Sequence, residues 1–553
     1  MTGDPATQSS RDWQRTSLPN NGVLGHDAPM EYKSKEGRHS VANNVEAGHA
    51  DDLLNILGYQ AELVRSRTTF QVAFMSFVLA SVPYGLSTTL LYPIAGGGPV
   101  AVIWGWCGVC AIILCLAISL GEITSVYPTA GGVYYQTFML SPPRFRKMTA
   151  WICGWAYALG NTIVTLSVNF GTTLFFVACI NIFQDQEGSG IFAAETYQYY
   201  LIFLAITLIC NAISALGNKW LPLLDTMTIY WTFGGVFAIL ICVLAIAKAG
   251  RNSAGFAFGE FQANTGWTEG WSFCIGLLHA AYATSATGMI LSMCEEVRDP
   301  ATQVPRAMCW ALGLNWLCGI IFLIPLMFVL PDLLEVISDP YGQPLPFILR
   351  SAIGHEGGAF ALTVPIIILG ILCGTACTTA SSRCLWAFSR DGAIPGSSWW
   401  KKVNLNLDVP LNAMMLSMLV QILLGLIYFG SYAAFNAFSG SAVIFLTISY
   451  VMPVAVSLLG GRKHLNEGAW DFGILGVFCN VVTIAWAFFI IPVFSFPFFN
   501  PTTLDTMNYA SAVFVGGIAI SALWYFVWGK NNYEGPPVQA DEVQRRRSSI
   551  ISR

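Results

Sequence analysis

Phe70-Gln71-Val72-Ala73-Phe74-Met75-Ser76-Phe77-Val78-Leu79-Ala80-Ser81-Val82-Pro83-Tyr84-Gly85-Leu86-Ser87-Thr88-Thr89-Leu90-Leu91-Tyr92 is 23 residues without a charge. A helix rises about 1.5 Å per residue, so a bilayer core of about 30 Å takes about 20 apolar residues. Eleven more runs meet that test, near 100–126, 150–182, 198–216, 224–249, 271–293, 307–330, 359–383, 411–430, 433–458, 472–494 and 508–528. The runs 411–430 and 433–458 are separated only by a short turn at Gly430 and Ser431. The fold class is therefore an all-α integral membrane protein of about 12 transmembrane helices. Composition agrees: 55% of the chain is hydrophobic and 10% charged, where soluble domains carry about 25% charged residues.

Charge sets the orientation. With the amino terminus inside, inner segments hold 24 of the 27 Lys and Arg, leaving Lys248, Arg251 and Arg350 outside. With both tails discounted the inner loops still lead 12 to 3, which the positive-inside rule reads as two cytoplasmic termini. The polar ends, 1–67 and 529–553, read as cytoplasmic tails, the first disordered by composition. Arg545-Arg546-Arg547-Ser548-Ser549 suits attachment to an anionic leaflet, released by phosphorylation. No cleavable signal precedes Phe70. A net charge of −4 argues against nucleic acid as a partner, since duplex binding needs concentrated cations. The 15 cysteines fall mostly in apolar runs and read as packing residues; Cys107-x-x-Cys110 has redox spacing but no redox context. Nothing in the sequence calls for a cofactor or a metal. With no HExxH, Walker loop or paired intramembrane acids, there is no sign of an enzyme or an ATP-driven pump, and no filter repeat marks a channel.

Two runs carry helix breakers at their centres. The first holds Ser81-Val82-Pro83-Tyr84-Gly85-Leu86-Ser87. The sixth holds Tyr282-Ala283-Thr284-Ser285-Ala286-Thr287-Gly288. Proline removes a backbone donor and glycine tolerates unwinding. Bare backbone survives at membrane depth only inside protein or against a wet cavity. Each interrupted run opens a block of five, and five is odd, so the second block is inserted upside down. That arrangement points to a carrier with its substrate at the midplane, freed amides suiting a carboxylate and freed carbonyls a cation. A packed kink is the plainer alternative. The divisions are 68–249, 250–458 and a final helix pair in 459–528.

Single polar residues add candidates. Glu122 is an acid inside an apolar run, readable as a proton carrier or, one turn from the inner end, as a gating residue. His279 can titrate in an acidic exterior or simply be hydrogen-bonded. Asn161 and Asn169, eight apart, share a face of the third helix.

At this point the chain resembles the fungal amino-acid/choline/GABA permeases of the amino acid/polyamine/organocation superfamily, from about Tyr59 to Trp528. The resemblance rests on Gly96-Gly97-Gly98-Pro99, on Ser119-Leu120-Gly121-Glu122 through Ala130-Gly131-Gly132, and on Cys294-Glu295-Glu296-Val297-Arg298-Asp299-Pro300 with Val304-Pro305-Arg306. It rests also on Ser381-Ser382-Arg383 with Ser389-Arg390-Asp391-Gly392. It implies a leucine-transporter-like fold of five plus five inverted helices and two more. Substrate would lie between helices 1, 3, 6 and 8, with proton coupling. Relatives carry Gly-Tyr-Asp in helix 6 where this chain has Ala286, Thr287 and Gly288, so no carboxylate is left for a strongly cationic substrate; Tyr84 and Tyr282 offer cation–π faces instead. The expected substrate-binding residues are Ser81, Pro83, Tyr84, Gly85, Asn161, Tyr282, Thr284, Ser285, Thr287 and Gly288. Glu122, Glu295, Glu296, Arg383 and Arg390 are the expected inner gate. The reading is a plasma-membrane permease whose partners are a small amino substrate, protons and membrane lipids. The substrate is an amino acid or GABA ahead of choline or a polyamine; a non-transporting nutrient sensor with the same body is the other alternative.

Overall fold

Each apolar run becomes one helix, because a segment withdrawn from water must satisfy its own amides and carbonyls. The computed structural model describes residues 50–60, 62, 63, 65, 69–185, 190–247, 250–429, 434–463, 465, 468–503 and 507–537. All of these fall in one unit, Ala42–Arg553. Twelve helices are long and apolar enough to cross a membrane: α1 (Phe70–Thr88), α2 (Leu91–Val126), α3 (Arg146–Ile180), α4 (Thr196–Leu216), α5 (Asn218–Ile246), α6 (Glu269–Glu296), α7 (Pro300–Phe328), α8 (Glu356–Arg390), α9 (Leu411–Phe429), α10 (Ala437–Leu459), α11 (Gly473–Val493) and α12 (Ala510–Asn532). Among the described residues there is no strand, only the isolated bridges Gln184–Gly190 and Asn404–Val409. The turn at Gly430 and Ser431, residues 1–49, Lys248 and the Arg545–Ser549 cluster lie outside the described residues.

The bundle is inside-out relative to a soluble protein. Leu201, Leu208, Tyr230, Ile241, Phe488 and Leu523 stand exposed on α4, α5, α11 and α12, as a lipid-facing rim requires. Polar residues turn inward instead. Thr162 meets Ser381 at 3.4 Å, Ser381 meets Ser417 at 3.0 Å, and Gln421 bonds both Ser417 and Asn169 at 3.1 Å. This chain of hydroxyls and amides ties α3, α8 and α9 together where no water is available to satisfy them. All fifteen cysteines are free thiols.

Three helices are interrupted. In α1, helix Thr69–Ala80 stops and Val82–Thr88 begins at Ser81, whose φ of 36° and ψ of 56° are left-handed. A non-glycine residue held there costs about 1–3 kcal/mol and persists only where the surroundings enforce it. Pro83 sits in the first turn of the second piece, where its missing N–H disturbs nothing downstream. In α2 the break falls at Gly97 and Gly98, the latter at φ 63°, followed by Pro99; this is why the long apolar run opens only at about residue 100. In α6, α-helical turns Glu269–Gly276 and Leu278–Thr284 give way to a 3₁₀ helix over Ser285–Glu296. Twelve residues of 3₁₀ helix far exceed the usual three or four, and such stretches mark hinges or strained sequence. Thus α6 is rewound rather than fully unwound.

The 35 residues of α8 span about 52 Å at 1.5 Å per residue, well beyond a core of about 30 Å. Its final turns, with Arg383 and Arg390, therefore reach the bundle's charged end. The short helix Gly132–Leu140 packs there against α3 and α10. Residues 50–60, 62, 63 and 65, polar enough to be counted with the tail, are also found there: 50–56 are helical, and Leu54, Leu57, Tyr59 and Leu63 are buried.

Candidate functional site

The interrupted helices α1 and α6 touch at their centres. A Cβ on Gly85 would stand 3.2 Å from both Cα and Cβ of Ala283, so the backbones approach this closely because residue 85 has no side chain. Beside the crossing is a small pocket of about 10 Å³, room for about one water in this closed state. It is lined by Leu79, Ala80, Tyr84 and Gly85 of α1, Val164 and Val168 of α3, Tyr282, Ala283, Ser285 and Ala286 of α6, and Cys373 and Cys377 of α8. None of these side chains carries a formal charge.

The break exposes a particular acceptor. A helical Leu79 carbonyl would receive the N–H four residues on, but that residue is Pro83, which has none. The donors that reach it are the thiols of Cys373 at 3.6 Å and Cys377 at 4.0 Å, both weak. Among the described residues the hydroxyl of Ser81 is buried without a hydrogen-bond partner, while those of Ser167 and Tyr282 are buried facing one another. An unmet group such as Ser81 costs about 1–3 kcal/mol, a deficit that a polar guest can relieve. Other groups are already committed. The Tyr84 hydroxyl donates to the Val168 carbonyl at 2.6 Å and accepts from Thr172 at 2.9 Å. Tyr450 and Tyr157 donate to the Ser285 and Gly288 carbonyls, each at 3.2 Å, which holds the rewound part of α6 against α10 and α3.

At the charged end, Arg390 makes a two-pronged bond to Glu295 at 3.0 and 2.8 Å. Glu295 also accepts from the Ala130 amide at 3.1 Å. Arg383 donates to Glu296 at 2.7 Å and to Asn218 at 3.1 Å. Glu122 is paired elsewhere, with Arg462 at 2.8 Å, and accepts from the Phe472 amide at 2.9 Å. The three pairs join the end of α6 to α8, and α2 to the α10–α11 loop. All are largely withdrawn from solvent; Arg383 is 1% exposed and Glu122 fully buried. Losing one partner of such a pair costs about 3–5 kcal/mol, because the other charge stays buried alone. Asp391 accepts from Tyr59 at 2.9 Å and Tyr134 at 2.8 Å. Burial pushes its carboxyl up to about 6, against the opposing pull of Arg390 and the two tyrosines.

Residues 68–520 match the family described as Amino acid permease. The chain belongs to that family. The choline transporter of Saccharomyces cerevisiae is 31% identical over 476 residues, 86% of this chain and 83% of the relative. The GABA-specific permease of the same yeast is 28% identical over 519 residues, 91% and 89% of the two chains. An amino-acid permease of Arabidopsis thaliana is 29% identical over 495 residues, 87% and 95%. With twelve apolar helices, the permease is a multi-pass membrane transporter.

In this permease the expected binding residues divide into two groups. Tyr84, Gly85, Tyr282 and Ser285 line the pocket, and Ser81 and Pro83 create the break beside it. The others are engaged locally. Thr284 and Thr287 hydroxyls donate to carbonyls of their own helix, at Ala280 and Thr284, and Gly288 lies under the Tyr450 ring. The Asn161 amide donates to the Tyr157 carbonyl at 2.8 Å. Asn169 belongs to the α3–α8–α9 network and not to the pocket. His279 packs edge-on to Trp106 of α2, and neither ring nitrogen has a partner among the described residues. Leu79, Ser167, Cys373 and Cys377 were not anticipated. Leu79 was within reach of sequence reasoning, being four residues before Pro83.

Proposed function

We propose that this permease carries a small amino compound, an amino acid or GABA, by alternating access coupled to protons. The bundle sits in the plasma membrane with its charged end and both termini cytoplasmic. Its halves, 68–249 and 250–458, are inverted repeats, with α11 and α12 in 459–528 accessory. The observation that carries this reading is the Leu79 carbonyl, stripped of its main-chain donor by Pro83 and opening on an uncharged pocket. An ammonium group supplies the strong donor that two thiols do not, and hydrogen bonds to charged groups are worth about 1.5–3 kcal/mol. The buried hydroxyls of Ser81, Ser167 and Tyr282 suit the polar remainder of a zwitterion. The ion pairs Glu295–Arg390 and Glu296–Arg383 close the cytoplasmic path and must part for release.

Choline is the second reading. The relative named a choline transporter favours it, and the Tyr84 and Tyr282 rings offer cation–π contacts worth about 0.5–2 kcal/mol. A quaternary ammonium, however, has no N–H to give Leu79. The deciding experiment is uptake in a permease-deficient yeast. Amino acids, GABA, choline and polyamines compete against one labelled substrate, with and without a proton uncoupler. Inhibition by primary amines and loss on uncoupling are expected. A chain that reaches the surface and moves none of them would overturn the transport reading in favour of a sensor.

A further inference from the structure

We propose that the segment carrying Tyr59 and Arg65 forms a latch that spans the closed cytoplasmic ends of α6 and α8 and must release before this end can open. The inference uses the orientation proposed above, but its geometry stands independently. Tyr59 touches the α8 end twice. Its hydroxyl donates to Asp391 at 2.9 Å, and its ring lies 4.0 Å beneath the Arg390 guanidinium, the same group that grips Glu295. Arg65 touches the α6 end. It donates to the carbonyl of Val297, the residue after Glu296, at 2.7 Å, and the Val297 amide donates in turn to the Cys294 carbonyl at 3.3 Å.

Further bonds hold the segment itself in shape. Arg65 pairs with Asp51 at 2.6 Å and donates to the Ala50 carbonyl at 3.1 Å, so the segment's two ends meet. Tyr135 donates to the Leu57 carbonyl at 2.9 Å, tying the segment to the short helix Gly132–Leu140. Leu54 and Leu57 are at most 2% exposed, so the segment is seated on apolar surface as well as pinned by polar contacts.

The consequence is mechanical. Separating Glu295 from Arg390 and Glu296 from Arg383 moves the ends of α6 and α8 apart. A segment holding Val297 through Arg65 and Asp391 through Tyr59 cannot follow both. Docking and inward opening therefore exclude one another, and whatever draws on the 49 residues ahead of Ala50 has a handle on the transport cycle. Cys294, 1% exposed under this cover, reports the state of the latch.

The test uses the full chain in membrane vesicles. N-ethylmaleimide modification of Cys294 is timed by mass spectrometry of its peptide, with Cys294→Ser as the control. Arg65→Gln removes the hold on α6. Tyr59→Phe removes only the hydroxyl to Asp391 and serves should the first variant misfold. Each is expected to speed modification roughly fivefold, the equivalent of one lost hydrogen bond, and to raise efflux of labelled substrate. Unchanged Cys294 kinetics in both variants would overturn the latch. The labelling needs no substrate, so faster modification in a chain that transports nothing would retain the latch and discard the transport reading.

Discussion

Gly85 is the sharpest place to test the crossing of the two interrupted helices. A Cβ there would stand 3.2 Å from Ala283 Cα and Cβ, a few tenths of an ångström closer than relaxed contact at about 3.5–4.0 Å. Alanine at 85 thus asks α1 and α6 to part slightly; leucine asks for space that does not exist. Overpacking of this kind costs about 1–3 kcal/mol, or roughly 5- to 150-fold in any equilibrium that needs the close crossing. Gly85→Ala belongs at the low end and Gly85→Leu at or beyond the high end. The colliding Cβ belongs to Ala283, so Ala283→Gly removes part of the clash and should return much of the activity of Gly85→Ala. The assay is initial-rate uptake across substrate concentration, normalised to surface expression, for the single variants and the double. A Gly85→Leu permease with wild-type kinetics would refute the crossing as the site. So would a double variant no better than Gly85→Ala alone, since it would sever the effect from the contact invoked.

Three further expectations follow from the same geometry. Pro83→Ala supplies an N–H to the Leu79 carbonyl, so KM for a primary-amine substrate should rise about tenfold, a loss at the lower end for a charged hydrogen bond, while surface expression holds or improves; an unchanged KM would remove Leu79 from the site. Arg383→Gln leaves Glu296 buried without its cation and should destabilise by about 3–5 kcal/mol, while adding Glu296→Gln restores most of the loss; thermal unfolding in detergent reads the cycle, and simple additivity would contradict a coupled pair. Asp391 faces Arg390 on α8, Glu295 on α6, Tyr59, Tyr134 and Tyr533, and its carboxyl stands at about 6 against about 3.9 when exposed. The folded protein therefore binds the proton more tightly than the unfolded chain, so stability gains as pH falls from about 6 to about 4 and that gain is lost above about 6. Thermal unfolding in detergent should show this increment across that window, and Asp391→Asn should flatten it; a variant with the wild-type profile would remove Asp391 as its source.

The twelve helices were legible in the amino-acid order because the quantity that selects them, a sustained run of apolar side chains, is local. The interruption of α1 was legible for the same reason: Pro83 lacks a donor whatever surrounds it. The pairing of Glu122 with Arg462, 340 residues away, was not, although its position one turn from the helix end already suggested an arginine partner. Nor was it legible that Ser81 would take the left-handed conformation, that α6 would rewind as 3₁₀ helix, or that Thr284 and Thr287 would spend their hydroxyls on their own backbone. Tyr59, Leu57 and Arg65 were hidden in a stretch whose composition reads as tail, because composition does not register which few side chains find a surface to cover. Chain chemistry alone decided where helices run and where one cannot continue. Tertiary packing decided which buried charge meets which, and which polar groups are left over, since those depend on distances between segments that no local pattern encodes.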